Sequence, residues 1–417
     1  MQLFADSLHD EFASWALAFV GSGGADLGEI VAIADSLATS GSSASPTGSN
    51  AAPDDGAFYD AWMSAVSHHE DAAAQAVDAG HAATARGHWL RAATYAGVAY
   101  HPLYGSPVDP RLRSAFDRQM GAFGKAMALG DPPGETLSIP FDGHLLPSLF
   151  MPAVGTGREH GGRRPLLILT NGYDATMADM YLGTGRAATE RGYHCLLFDG
   201  PGQGDLLVRD GVPMVADWER VVTAVVDAVV ERPDVDPDRI AVHGWSLGGY
   251  LAPRAASAEH RLAACVADPP LWGVLDGMRF FAQFFGLSAD AIAALPEISD
   301  SDEASITETV EGDRGLRWKI VQRGYWVHGV EDLRGYLAAI APFTMDGHAE
   351  QIRCPVLGLT GEGDILAMGS DMFMSHLKVP HELVKYTAAQ GAGGHCEMLN
   401  RWLVVQRVLD WLDDTLR

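Results

Sequence analysis

The sequence predicts an α/β fold: a mostly parallel twisted sheet with helices on both faces, an N-terminal helical cap domain and a helical lid insertion. Three observations predict it. From Leu166 onward, short apolar runs alternate with amphipathic helical stretches, the pattern of parallel strands joined by crossover helices. One of those runs, Ile240 to Val242, leads directly into Gly244-Trp245-Ser246-Leu247-Gly248 and an Ala-rich helix. The stretches before residue 132 and across about 270–345 have helical periodicity and no clear buried strand.

Residues 1–37 read as a helical extension in two pieces, broken at Gly21-Ser22-Gly23-Gly24, with Leu8, Phe12, Trp15, Leu17 and Phe19 on the first. So apolar a helix must bury against something. A homodimer through the N-terminal helical region is the assembly it suggests. Residues 38–56 contain no bulky apolar side chain and read as a flexible linker. The cap domain, 57–132, begins with Phe58, Trp62 and Val66 on one helical face. Helices over Ala82–Tyr100 and Pro110–Met127 complete it. His68, His69 and His81 read as ordinary surface or core-edge histidines rather than a metal site.

The period changes near residue 135. Thr136–Phe141 and His144–Met151 predict a hairpin turning at Asp142-Gly143. Buried strands follow at Leu166–Thr170, Tyr193–Phe198, Ile240–Val242, Ala263–Ala267, Val356–Thr360 and Leu383–Tyr386. Helices are expected at about 177–191, 214–231, 248–258 and 397–416. These make residues 133–417 one catalytic domain, with its ligand site at the strand C-terminal ends. The insertion at 270–345 carries Trp272, Phe280, Phe281, Phe284, Phe285, Trp318, Tyr325 and Trp326. Most should be the lid's own core, with a few lining an apolar pocket.

Composition narrows the function. With 29 basic against 54 acidic residues and a net charge of −25, the chain should repel nucleic acid and anionic membranes. A small-molecule substrate is expected. Cys195, Cys265, Cys354 and Cys396 have no metal-type spacing and read as buried free thiols. No signal-type N-terminus and no run of about 18 apolar residues is present, so a cytoplasmic enzyme without metal or cofactor is the expectation.

The chemistry centres on Ser246. Gly-x-Ser-x-Gly between a strand and a helix is a nucleophile elbow, a turn so tight that it forces the serine into a strained conformation with its Oγ exposed. A serine nucleophile needs a base held by a carboxylate, here expected in the order Ser, Asp or Glu, His. His395, in Gly391-Ala392-Gly393-Gly394-His395-Cys396-Glu397, lies in a Gly-rich loop after the last strand. Asp364, in Gly361-Glu362-Gly363-Asp364, follows the strand Val356–Thr360, with Glu362 as its competitor. The oxyanion-hole donors are assigned to the N–H groups of Leu247 and Tyr173, the latter in Asn171-Gly172-Tyr173-Asp174. Asp199-Gly200-Pro201-Gly202-Gln203-Gly204 reads as a tight loop at the floor of the site. It lacks Gly-Lys-Ser/Thr, and no helix is expected to open directly from it, so it is not a phosphate loop.

Together these motifs resemble one α/β-hydrolase family, over about residues 57–417. It includes 2,6-dihydroxypseudooxynicotine hydrolase, fungal hydrolases that shorten polyketides and FrsA-like esterases. The resemblance implies the α/β-hydrolase fold, a Ser246-Asp364-His395 triad, and hydrolysis of esters or of C–C bonds in 1,3-diketone-like substrates. It also implies that the N-terminal helices form part of the cap. The C–C hydrolases of the family use a further acidic residue from the region after the sixth strand, for which Asp268 and Asp276 are the candidates. The expected activity is therefore serine hydrolysis of an ester or activated C–C bond in an aromatic or polyketide-type molecule. The competing reading is a lyase or cyclase using the same Ser/His site for elimination. A peptidase is disfavoured because no propeller-like repeat precedes the catalytic domain.

Overall fold

The computed structural model describes residues 2–41, 54–155, 162–283 and 285–417. The chain divides into two compact units, Met1–Pro133 and Gly134–Arg417.

The first unit holds five α-helices among the described residues: α1 (Ser7–Ala18), α2 (Leu27–Gly41), α3 (Asp55–Asp78), α4 (Ala82–Tyr100) and α5 (Pro110–Ala128). Asp6, Asp54 and Asp109 cap α1, α3 and α5 by accepting N–H groups of the first turn, which satisfies donors that a helix start leaves open. Phe58, Trp62 and Val66 share a fully buried face of α3. The Ala-rich α4 lets its neighbours approach closely, and Tyr100 donates to Gln119 of α5 at 2.6 Å. The first two helices pack on this same unit. Phe4 stands edge-on to Phe58, His9 bonds Asp55 at 2.7 Å, and Tyr95 accepts from the Asp26 N–H. The apolar face of α1 is thus covered within its own chain. Most of the expected linker, residues 42–53, lies outside the described residues. Its two ends are helical: α2 runs on to Gly41 and α3 starts at Asp55, although Ser, Thr and Gly are weak helix formers. His69 is buried between Glu29 and His88, and among the described residues no cluster of His, Cys, Asp or Glu could hold a metal.

The second unit is an eight-stranded sheet. Its strands are β1 (Glu135–Phe141), β2 (His144–Met151), β3 (Arg164–Thr170), β4 (His194–Phe198), β5 (Val235–Trp245), β6 (Leu262–Asp268), β7 (Val356–Gly361) and β8 (His381–Tyr386). They lie in the order β1-β2-β4-β3-β5-β6-β7-β8. The β1–β2 hairpin and the β2–β4 pair are antiparallel; every later pairing is parallel. Strands β4 and β7 are buried along their whole length, which is why they read as continuous apolar runs rather than alternating ones.

The crossovers are helical. Between β3 and β4 run α6 (Met177–Met180), a π-helical turn at Tyr181–Gly185 and α7 (Arg186–Glu190); α8 (Gly204–Asp210) and α9 (Trp218–Val229) join β4 to β5; α10 (Gly248–Ala256) follows β5. Helix α8 corrects one expectation, since it opens directly from the Asp199–Gly204 loop. Gly204 sits at φ +38°, and a Cβ there would lie 2.0 Å from the Asp199 carboxylate. The protein's own acid thus occupies the turn in which a phosphate loop would hold an anion.

Between β6 and β7 the insertion contains α11 (Val274–Ala282), α12 (Ala289–Ala294), α13 (Asp300–Gly312), α14 (Arg314–Arg317), a π-helical stretch Trp318–Tyr325, α15 (Trp326–His328) and α16 (Leu333–Ile340). It has a core of its own around Phe285, Ile306, Ile320, Leu337 and Ile340. Phe281 and Tyr325 pack against that core; Phe284 lies outside the described residues. Helices α17 (Ser370–His376) and α18 (Arg401–Thr415) complete the unit. No described helix is long and apolar enough to cross a membrane. All four cysteines are free and buried.

Candidate active site

Ser246 stands at the end of β5 with φ +57°, the left-handed region that a non-glycine residue occupies only when its surroundings impose it. Those surroundings are visible. A Cβ on Gly244 would lie 1.9 Å from the Gly248 carbonyl oxygen, and one on Gly172 would lie 2.8 Å from Ser246 Cβ. The chain can turn this sharply only without those side chains. The Ser246 N–H donates to the Asp268 carbonyl at 2.7 Å, tying the elbow to the end of β6. Its Oγ makes no hydrogen bond to the described residues.

The loop after β8 brings His395 to the same region. His395 Nδ1 and Asp364 Oδ2 are 2.9 Å apart. Glu362, the competing acid, instead accepts the Ala388 N–H at 2.8 Å. Partial burial opposes a charge on the His395 ring, but the hydrogen bond and charge of Asp364 outweigh it and raise its pKa above the ordinary imidazole value. Cys396 Sγ donates to the Asp268 carbonyl, the same oxygen that accepts from Ser246. One carbonyl therefore joins the histidine loop to the elbow. The structure brings Asp364 onto His395 and ties the residue after His395 to the elbow through the Asp268 carbonyl, without a Ser246–His395 hydrogen bond. In unliganded sites such contacts are often long and tighten with substrate.

The two assigned oxyanion donors also meet. Neither the Tyr173 nor the Leu247 N–H has a hydrogen-bond partner among the described residues. The buried Gln203 Nε2 donates to the carbonyls of Asn171 and Gly172, at 2.8 and 3.0 Å. In a planar trans peptide, C=O and N–H point opposite ways. Turning the Gly172 carbonyl toward Gln203 therefore turns the Tyr173 N–H away from it. Gln203 is itself held, its Oε1 accepting from Gly200 N–H. Tyr173 and Leu247 line a common cavity of about 330 Å³ with Trp272, Phe280, Met368 and Met372, a volume at the lower end of small-molecule sites. Of the insertion's aromatics, Trp272 and Phe280 thus face this cavity.

The two candidate auxiliary acids differ. Asp276 lines the cavity and pairs with Arg279 at 2.8 Å. Asp268 is fully buried and pairs with Arg401 at 2.8 Å. Arg401 Nη1 also donates to the Cys396 carbonyl, and its guanidinium lies 4.2 Å over the Trp245 ring. Glu397 is buried beside Asp268; burial first, then that neighbouring charge, push its pKa up. This cluster supports the histidine loop from below. Sequence reading passed over Arg401, Glu397 and Gln203. Glu397 and Gln203 lay inside quoted motifs, while nothing local marks Arg401.

The sequence profile described as the alpha/beta hydrolase family matches residues 167–405. The chain belongs to the alpha/beta hydrolase family. This hydrolase is 30% identical to Hydrolase acrC of Aspergillus aculeatus, over 98% of this chain and 96% of the relative. It is 30% identical to the 20-hydroxy-prefusarin hydrolase FUS2 of Gibberella moniliformis, over 74% of this chain and 73% of that one. Among solved structures, the 2,6-dihydroxy-pseudo-oxynicotine hydrolase superposes with a TM-score of 0.71 at 23% identity, covering 96% of this chain and 95% of that one. That likeness is one of fold.

Proposed function

We propose that this hydrolase cleaves an ester or an activated, 1,3-diketone-like C–C bond of an aromatic or polyketide-type molecule, through an acyl-enzyme on Ser246. The observation that carries the reading is that Tyr173 and Leu247, whose N–H groups have no partner among the described residues, line one cavity, Leu247 directly following a serine held at φ +57°. An elimination needs a base but no strained serine with an oxyanion site, so the elbow favours acyl transfer. The fungal relatives, one of them named for a prefusarin substrate, support a polyketide-type substrate.

In this mechanism Asp364 accepts a hydrogen bond from the His395 Nδ1–H, which keeps the proton on Nδ1 and leaves Nε2 bare. Nε2 takes the Ser246 Oγ proton as Oγ attacks the substrate carbonyl. The Tyr173 and Leu247 N–H groups receive the developing oxyanion, each worth roughly 3–4 kcal/mol of barrier by analogy with oxyanion donors elsewhere. The departing alkoxide or enolate takes the proton back from His395, and water then releases the acyl group by the same base. A carbon leaving group departs only as a stabilised enolate, hence the requirement for an activated bond. Asp276, on the cavity wall, is placed to hold the leaving part of the substrate; Asp268, enclosed against Arg401, is not.

Intact-protein mass after treatment with a fluorophosphonate tests the reading. One adduct is expected on the wild type and none on Ser246→Ala or His395→Ala. An unlabelled wild type, or labelling that survives Ser246→Ala, would overturn it.

A further inference from the structure

The insertion between β6 and β7 grips the two residues that close the oxyanion loop. Tyr173 hydroxyl and His328 Nε2 are 2.8 Å apart. The Arg323 guanidinium lies 4.9 Å over the Tyr173 ring and donates to Asp174 Oδ2 at 2.9 Å. His328 stacks edge-on against Tyr336. Tyr173, Asp174, His328 and Tyr336 are all buried. Two insertion residues, His328 and Arg323, thus hold the side chain of Tyr173 and the carboxylate of Asp174, while Gln203 holds the backbone just before them.

The arrangement is selective. Burial and the Arg323 charge lower the His328 pKa to about 4, so the ring is neutral at physiological pH. Burial raises the Tyr173 pKa well above its ordinary value. A neutral imidazole and a neutral phenol make one hydrogen bond with no charge to desolvate, a contact suited to a dry interior. Asp174 and Arg323 add a charge-assisted bond alongside it. The loop they hold contains Gly172, which has no Cβ to restrain it. Without the grip, the Tyr173 N–H would have only the Gln203 amide to fix its direction.

Resting on the acyl-transfer reading above, we infer that His328 and Arg323 are positioning residues acting through Tyr173, so that the oxyanion hole is complete only while the insertion is seated on Tyr173 and Asp174. The insertion then does more than cover the cavity: it sets the direction of one of the two N–H groups that receive the oxyanion. A loop displaced by even about 1 Å costs catalysis far more than binding.

The test is the second-order rate of phosphonylation by a fluorophosphonate, alongside kcat and KM on a p-nitrophenyl ester. The variants are His328→Phe, His328→Gln, Arg323→Met and Tyr173→Phe, the last removing only the hydroxyl that meets His328. Arg334→Met is the control: Arg334 lies in the same insertion but pairs with the exposed Asp300 and with Glu303. His328→Phe and Arg323→Met should slow phosphonylation and kcat about 10- to 100-fold, less than the 10²- to 10³-fold typical of a lost donor, with KM within about twofold. His328→Gln, which keeps a hydrogen-bonding group, should recover most of the rate. Tyr173→Phe should fall with the slow variants, and Arg334→Met should match the wild type. Melting curves identify any variant that fails to fold; Tyr173→Phe and His328→Gln, the mildest changes, then carry the comparison. Rates within twofold of wild type for His328→Phe, Arg323→Met and Tyr173→Phe would overturn the inference. So would an equal loss in Arg334→Met, or a His328→Gln as slow as His328→Phe. An unlabelled wild type would overturn the acyl-transfer reading and this inference with it; a labelled wild type with unaffected variants would overturn this inference alone.

Discussion

Replacing Arg401 by Met probes the support beneath the histidine loop. The Arg401 side chain is 4% exposed and Asp268 0%, so their 2.8 Å pair lies in the dry interior. The carboxyl of Glu397 lies beside the Asp268 carboxylate. Methionine fills much of the arginine's volume against Trp245 but leaves the Asp268 carboxylate without its cation and the Cys396 carbonyl without its donor. Breaking a buried pair in this way costs about 3–5 kcal/mol, because a buried charge is left uncompensated. For a unit of this size each kcal/mol moves the melting midpoint by about 2–4 °C, so a fall of about 6–20 °C is expected. Adding Asp268→Asn removes the stranded charge and should restore more than half of the loss. Thermal and denaturant unfolding of the two single variants and the double variant closes a mutant cycle. A loss below about 1 kcal/mol in Arg401→Met, or a double variant as unstable as the sum of the singles, would refute the assignment of a buried, coupled pair.

Three further outcomes follow from the geometry. His395 must be neutral to act as base, and its pKa is raised, so kcat/KM should rise with pH along an acidic limb centred above the ordinary imidazole value. Asp364→Asn should move that limb down while lowering the rate; a limb that stays put would exclude the pairing as its cause. Gln203→Glu sets a carboxylate against the Asn171 and Gly172 carbonyls. It should lower kcat by about 10²–10³ with little change in KM, and a KM effect alone would count against peptide orientation as its role. Gly244→Ala, whose Cβ would lie 1.9 Å from a backbone oxygen, should cost at least a few kcal/mol; a variant melting with the wild type would contradict the elbow packing.

The sequence carried the parts of the site that are local. Gly244 and Gly248 announce the elbow because the turn excludes side chains within a few residues of Ser246. Asp364 and His395 stand just past strand ends, where the fold places ligand sites. What stayed hidden is tertiary. Arg401 meets Asp268 across 133 positions, and Tyr173 meets His328 across 155, pairings that no local pattern encodes. Gln203 was visible as part of a glycine-rich loop, but its double donation depends on how β3 and β4 lie side by side. Helix α8 was missed because Asp-Gly-Pro-Gly-Gln-Gly has the composition of a turn, and its helix begins only at the final glycine. Helix α2 runs past its expected end at residue 37 to Gly41, where Thr, Ser and Gly carry only weak helix propensity.

The central claim is an acyl-enzyme on Ser246. Acid-quenching the wild type within milliseconds of mixing with p-nitrophenyl acetate, then weighing the intact protein and mapping its peptides, tests it most directly. The account predicts one added acetyl group on the peptide containing Ser246, and none with Ser246→Ala. An acetyl group on another residue, or turnover of the ester by Ser246→Ala at the wild-type rate, would contradict it.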